Sequence, residues 1–256
     1  MLDSIQGRVY TVTGAASGIG QATAVLLAEL GAAGIALSDV NEGGLQKTAQ
    51  LCSKFPSTKI TTETLDVSND EATRQWIENT VTEFGRLDGC ANVAGIAGGD
   101  GGTTTATINQ QDWDRMIGVN LSGVMYCMRP QLQHLRRPGG AVVNVASTAG
   151  LHGLPKSAAY SASKHGVIGL SASAAGEFGR AGIRIKTVCP GPIDTKIFRD
   201  GEAKGLFDAN VMGGSTLLGR MGQPREVANI IVFLLSDSAS YVTGAHWTVD
   251  GGYTAC

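Results

Sequence analysis

Charge of either sign is scarce in this chain. Of 256 residues, 20 are Lys or Arg and 22 are Asp or Glu, a net charge of −2. There is no basic excess of the kind that tracks a phosphate backbone, and the only local basic cluster is Arg129, Arg136 and Arg137. Nucleic acid is therefore not an expected partner. Cysteine is sparse and odd in number (Cys52, Cys90, Cys127, Cys189 and Cys256), with no CxxC spacing. That argues against a disulfide framework and against a zinc site, so no metal is expected. Long apolar runs are missing as well. Ile230–Leu235 is the longest useful one, against the roughly 20 residues that span a bilayer, so no membrane is expected. The segment Met1-Leu2-Asp3-Ser4 has no basic stretch followed by an apolar one, so no signal peptide is expected either. Proline occurs only 7 times, too seldom for a low-complexity chain. The expectation is a soluble protein of a reducing, cytoplasmic compartment.

What the chain does have is apolar material and glycine. Hydrophobic residues make up 43% and charged residues 16%, enough for a sizeable core and too few charges for disorder. Glycine occurs 36 times, which points to tight turns and close backbone approaches. Short β-branched runs alternate with longer helical stretches. Strands are expected at 8–13, 35–38, 59–65, 87–93, 141–146, 183–188 and 246–249. Helices are expected at 19–30, at 42–55, from a capping box at Ser68-x-x-Glu71 to Phe84, at 109–136, at 157–179, and at 224–235 with Pro224 in its first position. Alternation of this length means βαβ units, and near-continuous apolar strands such as AVVNVA and IRIKTV mean that both faces are covered. The expected fold is α/β, a Rossmann-like, doubly wound, seven-stranded parallel sheet with helices on both faces, in one domain over residues 1–256. The stretch 98–105 (GGDGGTTT) sits between a strand and a helix and reads as a flexible loop at the edge of a site.

Three motifs carry chemistry. Thr13-Gly14-Ala15-Ala16-Ser17-Gly18-Ile19-Gly20 lies directly between a strand and a helix. Small residues there let the backbone approach a pyrophosphate, and free helix N–H groups with the helix dipole favour its charge. The spacing is G-x3-G-x-G rather than G-x-G-x-x-G, and a tight turn that merely needs glycine is the plainer reading of the glycines alone. Asp39 closes the second strand 19 residues after Gly20, close to the ~20 expected of the carboxylate that holds ribose hydroxyls. It would repel a 2′-phosphate, and no Lys or Arg stands in the glycine turn or beside it. NAD is thus expected over NADP, with a helix-capping Asp as the alternative. Tyr160 and Lys164 share a helix face at i and i+4, and Ser147 lies thirteen residues before Tyr160 at a strand end. A free tyrosine titrates near ~10. A nearby ammonium favours the phenolate and lowers that value, which suits Tyr160 for proton transfer while Ser147 hydrogen-bonds the same substrate oxygen. The YxxxK spacing alone also fits an ordinary amphipathic helix.

Together these residues resemble the short-chain dehydrogenase/reductase family, in its single-domain branch. The resemblance runs over essentially the whole chain: TGAASGIG at 13–20, Asp39, Asp66-Val67, Asn92-Val93-Ala94-Gly95, Asn120, Ser147, YSASK at 160–164, and Pro190-Gly191-Pro192-Ile193-Asp194-Thr195. It implies Tyr160 as general acid/base. It implies Lys164 as the group that lowers the tyrosine's pKa and holds the nicotinamide ribose, and Ser147 as the residue that binds the reacting oxygen. Asn120 would keep a water in a proton relay behind Lys164. The implied cofactor cleft comprises Gly14, Ser17, Gly18, Ile19 and Gly20 around the phosphates, Asp39 at the ribose, and Asp66 with Val67 at the adenine. Asn92, Ala94 and Gly95 would line it, with Pro190, Gly191, Ile193 and Thr195 at the nicotinamide end. One departure is visible: the family's usual Asn-Asn-Ala-Gly is Asn92-Val93-Ala94-Gly95 here, which touches local sheet stability rather than chemistry.

Residues 195–220 follow the last cofactor motif and include Gly201, Gly205, Gly213 and Gly214, a composition suited to a mobile lid. Ile197, Phe198, Leu206, Phe207 and Met212 on it suit a substrate with apolar surface, or simply packing of the lid onto the body. His152, Leu154 and Phe198 join Ser147 as substrate candidates, although His152 also fits a plain surface histidine. Ala162, Gly166, Gly169, Ser173 and Gly176 lie opposite Tyr160 and Lys164 on their helix. Small residues there permit close packing of a second subunit, giving a homo-oligomer (dimer or tetramer), or packing within one chain. The expected activity is NAD-dependent interconversion of a secondary alcohol and a ketone on a fairly hydrophobic small molecule. Oxidation is the favoured direction because cellular NAD is largely oxidised, and the apolar lid suggests secondary metabolism. Two alternatives stand beside it. One is an NADPH-dependent ketoreductase on a carrier-bound acyl or polyketide substrate, with Arg129, Arg136 and Arg137 docking the acidic carrier. The other is a cofactor-binding protein without catalysis, which would typically have lost the Tyr or the Lys.

Overall fold

A computed structural model of the chain describes residues 3–97, 103–203, 205 and 208–255. Strand β1 (Val9–Thr13) leads into helix α1 (Gly18–Glu29), β2 (Gly34–Asp39) into α2 (Glu42–Cys52), and β3 (Lys59–Thr64) into α3 (Asp70–Phe84). Strand β4 (Gly89–Asn92) continues through α4 (Gln110–Ile117) and α5 (Gly123–His134) to β5 (Ala141–Val145). Then follow α6 (Ala158–Phe178), β6 (Arg184–Pro190), α7 (Lys196–Ala203), α8 (Ala209–Gly214), α9 (Pro224–Leu235) and β7 (His246–Val249). The seven strands are parallel, in the order β3-β2-β1-β4-β5-β6-β7. The expected α/β fold is the observed one.

Parallel strands need cover on both faces, and β1, β5 and β6 are buried along their whole length. On one face Val12 and Leu37 pack with Leu27 of α1, Leu45 of α2 and Ile231 of α9. On the other, Val142 and Ile185 pack with Trp76 of α3, Met128 of α5 and Val167 of α6. The strand order reverses between β1 and β4, and such a switch point opens a crevice at the carboxyl ends of the strands.

Two local expectations change. The helix expected at 109–136 is interrupted by a π-helical turn at Gly118–Ser122, where the N–H of Gly123 reaches back to the carbonyl of Gly118. Helix α3 is capped by Asn69 rather than by Ser68. The Asn69 side-chain oxygen accepts from the Ala72 N–H at 3.1 Å, while the Ser68 hydroxyl donates to Asp66 at 2.7 Å. An ionised carboxylate is the stronger acceptor and takes the serine out of the cap. Residues 98–102 of the expected loop, and Leu206 and Phe207 of the expected lid, lie outside the described residues.

Strand β6 carries two buried basic side chains. The Arg184 guanidinium donates to the carbonyls of Leu234 and Ala239 at 2.9 Å, Ser236 at 2.9 Å and Leu235 at 3.3 Å. It thereby satisfies the orphan acceptors at the end of α9 and sits on the negative end of its dipole. Lys186, with no exposed surface, donates to the Leu234 carbonyl at 2.8 Å. Burial, with the Arg184 charge as second cause, pushes its amine down to about 6. An unfolded lysine titrates near ~10.4. Between pH 6 and about 10 the unfolded chain therefore binds a proton that the folded chain does not, and stability rises with pH across that window. Lys186→Met removes this slope. Urea denaturation at pH 7 and pH 9 should show a gain on raising the pH that is larger in the wild type than in the variant by about 1–3 kcal/mol. Equal gains would refute the assignment.

Candidate active site

The carboxyl ends of β1, β4, β5 and β6 open on a cleft of about 640 Å³. Its floor is set by the turn after β1. Gly14 adopts φ +67°, and a β-carbon there would stand 2.8 Å from the Ala94 backbone. A β-carbon on Gly20 would stand 2.1 Å from the Gly14 carbonyl oxygen. Only glycine lets these backbones meet. The Thr13 hydroxyl oxygen accepts the N–H groups of Val93 and Ala94, both at 3.0 Å, and so ties the end of β4 to β1. The Asp39 carboxylate accepts from the N–H groups of Ala16 and Asn41, both at 3.0 Å. It holds the turn in place and still has lone pairs to offer.

The residues present fit a bound dinucleotide. Helices α2, α3 and α4 begin with an asparagine whose side chain caps them (Asn41, Asn69 and Asn109). Helix α1 begins at Ser17 with no side-chain cap. Its first-turn N–H groups are left for an anion, with the dipole in support. Asp66, which accepts from the Ser68 N–H and hydroxyl at 2.9 and 2.7 Å, lines the same cleft with Val67. So does every residue expected to bind cofactor except one. Asn92 is 1% exposed and faces the other way. Its amide nitrogen donates to Gln131 at 3.0 Å and to Asn144 at 2.8 Å, and its oxygen accepts from Gln131 at 2.9 Å. Successive strand residues point to opposite faces, and this one is turned toward α5, so it does not line the cleft.

At the end of β5, the Ser147 oxygen accepts from the Ala149 N–H at 3.1 Å and hydrogen-bonds the Tyr160 hydroxyl. Lys164, one helical turn beyond Tyr160, is 4% exposed. Its Nζ donates to the Val145 carbonyl at 3.0 Å and stands 5.7 Å from the centre of the Tyr160 ring. Burial brings the Lys164 amine down to about 8. Burial also raises the Tyr160 hydroxyl above its usual range, and the Ser147 hydrogen bond opposes this only in part. The expected lowering of the tyrosine by the ammonium is thus not achieved by the protein alone, because desolvation of the phenolate is the larger effect.

Asn120 sits in the π turn, fully buried. Its amide nitrogen donates to the Ile96 carbonyl at 2.9 Å and to Ser163 at 3.2 Å, and its oxygen accepts from the Ile96 N–H at 2.8 Å. It stands behind Gly95, where a β-carbon would lie 3.2 Å from Asn120 and 3.3 Å from the Lys164 nitrogen. The substrate candidates His152, Leu154 and Phe198 line the cleft, as do Ile197 and Met212. Tyr253, absent from the sequence reading, lines it too, its ring centre 6.1 Å from that of His152. Its only signal is position, since the last parallel strand delivers the following segment to the same end of the sheet. Of the small residues on α6, Gly166 packs within the chain, where a β-carbon would meet Leu121 at 2.7 Å. Ala162, Gly169, Ser173 and Gly176 are exposed.

A family model described as Enoyl-(Acyl carrier protein) reductase matches residues 14–254. The Short-chain dehydrogenase/reductase ABA4 of Pyricularia oryzae is 38% identical over 97% of this chain and 93% of its own length. The chain belongs to the short-chain dehydrogenase/reductase family. The cyclohexanol dehydrogenase of an Acinetobacter species is 40% identical over 100% of this chain and 98% of its own. The crystal structure of levodione reductase superposes with a TM-score of 0.93 at 34% identity, covering 98% of this chain and 99% of the other. This short-chain dehydrogenase/reductase is accordingly an oxidoreductase that works with a nicotinamide cofactor, and the reading as a protein without catalysis falls away. Among the described residues no helix is long and apolar enough to cross a membrane.

Because Asn92 belongs to the buried amide network and not to the cleft, Asn92→Ala should lower stability by about 2–4 kcal/mol in urea. Cofactor affinity, followed by quenching of protein fluorescence, should stay within about twofold (well under 1.4 kcal/mol). A large loss of affinity in a variant that is still folded would show that Asn92 serves the cofactor directly.

Proposed function

We propose that this enzyme oxidises a secondary alcohol on a small, hydrophobic, ring-bearing molecule to the ketone, using NAD. The observation that carries the reading is one cleft with Ser147, Tyr160 and Lys164 at the end of β5 and an unneutralised Asp39 at the end of β2. These ends are three strand spacings apart, about 14 Å, which suits an extended dinucleotide. The uncapped start of α1 would take the pyrophosphate, Asp39 the ribose hydroxyls, and Gly95, Pro190, Gly191, Ile193 and Thr195 the nicotinamide half. When bound, the oxidised nicotinamide supplies the hydride acceptor and a positive charge that favours the tyrosinate.

The chain's own groups manage the oxygen and its proton. Ser147 holds the reacting oxygen and Tyr160 takes its proton. A tyrosine that burial keeps protonated on its own becomes a base only once positive charge is brought to it, which couples proton transfer to a loaded site. Lys164, held by Val145, steadies the ribose and the phenolate, and Asn120 fixes the turn behind it. Residues 195–220, with α7 and α8, act as a lid on the one-domain body. Leu154, Ile197, Phe198 and Met212 with the rings of His152 and Tyr253 give the substrate end an apolar wall. The names of two relatives, one acting on cyclohexanol and one on levodione, support a ring-shaped substrate.

The carrier-docking alternative finds its arginines engaged within the chain. Arg129 pairs with Asp70 at 2.7 Å, Arg136 lies 3.9 Å from Asp88, and Arg137 donates to the Leu132 carbonyl. The exposed small residues of α6 would instead meet a second copy, giving a dimer or tetramer that works in the cytoplasm on a small molecule. At Gly169 and Gly176 an added β-carbon would meet nothing within 4 Å, which leaves room for a neighbour.

Absorbance of reduced nicotinamide, followed with NAD or NADP and a panel of polyols, cyclohexanols and bulkier ring alcohols, tests the reading. Turnover should be found with NAD and ring alcohols. Tyr160→Phe should cut kcat by roughly 10²–10⁴-fold while NAD binding persists, and persistence of turnover would remove the tyrosine from the chemistry. Asp39→Ala should shift the ratio of kcat/KM values toward NADP by about tenfold or more (1.4 kcal/mol). Turnover of the wild type with NADP alone would sink the role given to Asp39.

A further inference from the structure

A second cavity, of about 370 Å³, adjoins the cofactor cleft and shares Ile96, Ala97, Arg115, Ser157 and Tyr160 with it. Neither Asp39 nor the glycine turn lines it, so it is not a place for the dinucleotide. Its wall differs from the apolar one across the cleft, for it holds two cations, Arg115 on α4 and Lys156 just ahead of α6. Among the described residues neither side chain has an ion-pair or hydrogen-bond partner. Other arginines of the chain, such as Arg129, Arg199, Arg220 and Arg225, are paired with a carboxylate.

The lobe's own carboxylate among the described residues, Asp112, is committed elsewhere. It accepts from the Asn109 side chain at 2.7 Å at the start of α4 and makes no ion pair with Arg115 one turn on. Lys156 also has the single left-handed backbone among the described non-glycine residues, at φ 64°. A lysine in that conformation is strained, and the lobe is where the strained residue is placed. Helix α6, whose first turn lines the same lobe, has no side-chain cap at Ser157, so its positive end adds to the field of the two cations.

We propose that this lobe is a carboxylate subsite, and that the substrate is a ring alcohol or ketone bearing an anionic group remote from the reacting carbon. The proposal rests on the reading of Tyr160 as the group at the reacting oxygen, because Tyr160 is the wall between lobe and cleft. One half of the substrate then lies against the apolar wall, while the carboxylate meets Arg115 and Lys156. Arginine offers a fork that matches a carboxylate, and lysine a point charge.

The test uses the full chain with NAD and compares cis- and trans-4-hydroxycyclohexanecarboxylate with their methyl esters. The ratio of kcat/KM, acid over ester, should be at least about tenfold in the wild type, carried by KM and shrinking as salt is raised. In Lys156→Met and in Arg115→Met that ratio should fall by at least about fivefold. A ratio near one in the wild type, or a ratio that neither substitution moves, overturns the proposal. Turnover of the esters separately reports the alcohol-oxidation reading. If neither acid nor ester reacts, that reading fails, and the subsite is decided by calorimetric titration of the cofactor-loaded protein with cyclohexanecarboxylate. Binding that weakens at least about fivefold in the variants supports the subsite. Absent or unaltered binding overturns it.

Discussion

At Gly14 the segment leaving β1 comes so near the segment leaving β4 that a single methyl group would overlap the Ala94 backbone at 2.8 Å. These two strands are the neighbours at which the sheet reverses its order, and their connections depart to opposite faces. The cleft exists because they part there, and it is shallow enough to hold a ligand against the backbone because they first touch. Thr13 fastens that contact through two N–H groups and Asp39 fastens the turn above it. The uncapped start of α1, the placement of Gly95 and the seating of Lys164 behind it all follow from this meeting of main chains.

Helices α2, α3 and α4 satisfy their first amides with the side chains of Asn41, Asn69 and Asn109. Helix α1, which begins at the cleft, and α6, which begins at the second lobe, have no side-chain cap. Leaving an amide end uncapped costs stability of order 1 kcal/mol, and at α1 and α6 a ligand's negative charge would complete the helix.

Much of this was legible in the residues because it rests on short-range rules. Alternating strand and helix patterns, the strand–turn–helix setting of 13–20, the 19-residue step to Asp39 and the i, i+4 pair of Tyr160 and Lys164 all translate directly into geometry. What the pattern did not disclose depends on direction and burial. Asn92 stands beside cleft residues in sequence but points to the opposite layer, where Gln131 and Asn144, distant along the chain, receive it. The π turn at Gly118–Ser122 leaves no mark in a helical periodicity that continues on both sides. Tyr253 reaches the substrate wall through the route of the last strand, and Tyr160 titrates by its surroundings more than by its neighbouring ammonium. Arg184 and Lys186 read as interruptions of an apolar strand, and their sense appears only with the carbonyls of α9 in place.

The Arg184 guanidinium gathers four carbonyls from residues 234–239 onto β6, and Lys186 adds a second bond to one of them. Strand β6 and the end of α9 therefore cannot open separately without stranding a buried cation. They form one cooperative opening unit, whose amides exchange with solvent only through a large excursion. Pro190 and Gly191, on that same strand end, inherit its rigidity. One rim of the cleft is thus anchored to that unit through the main chain of β6.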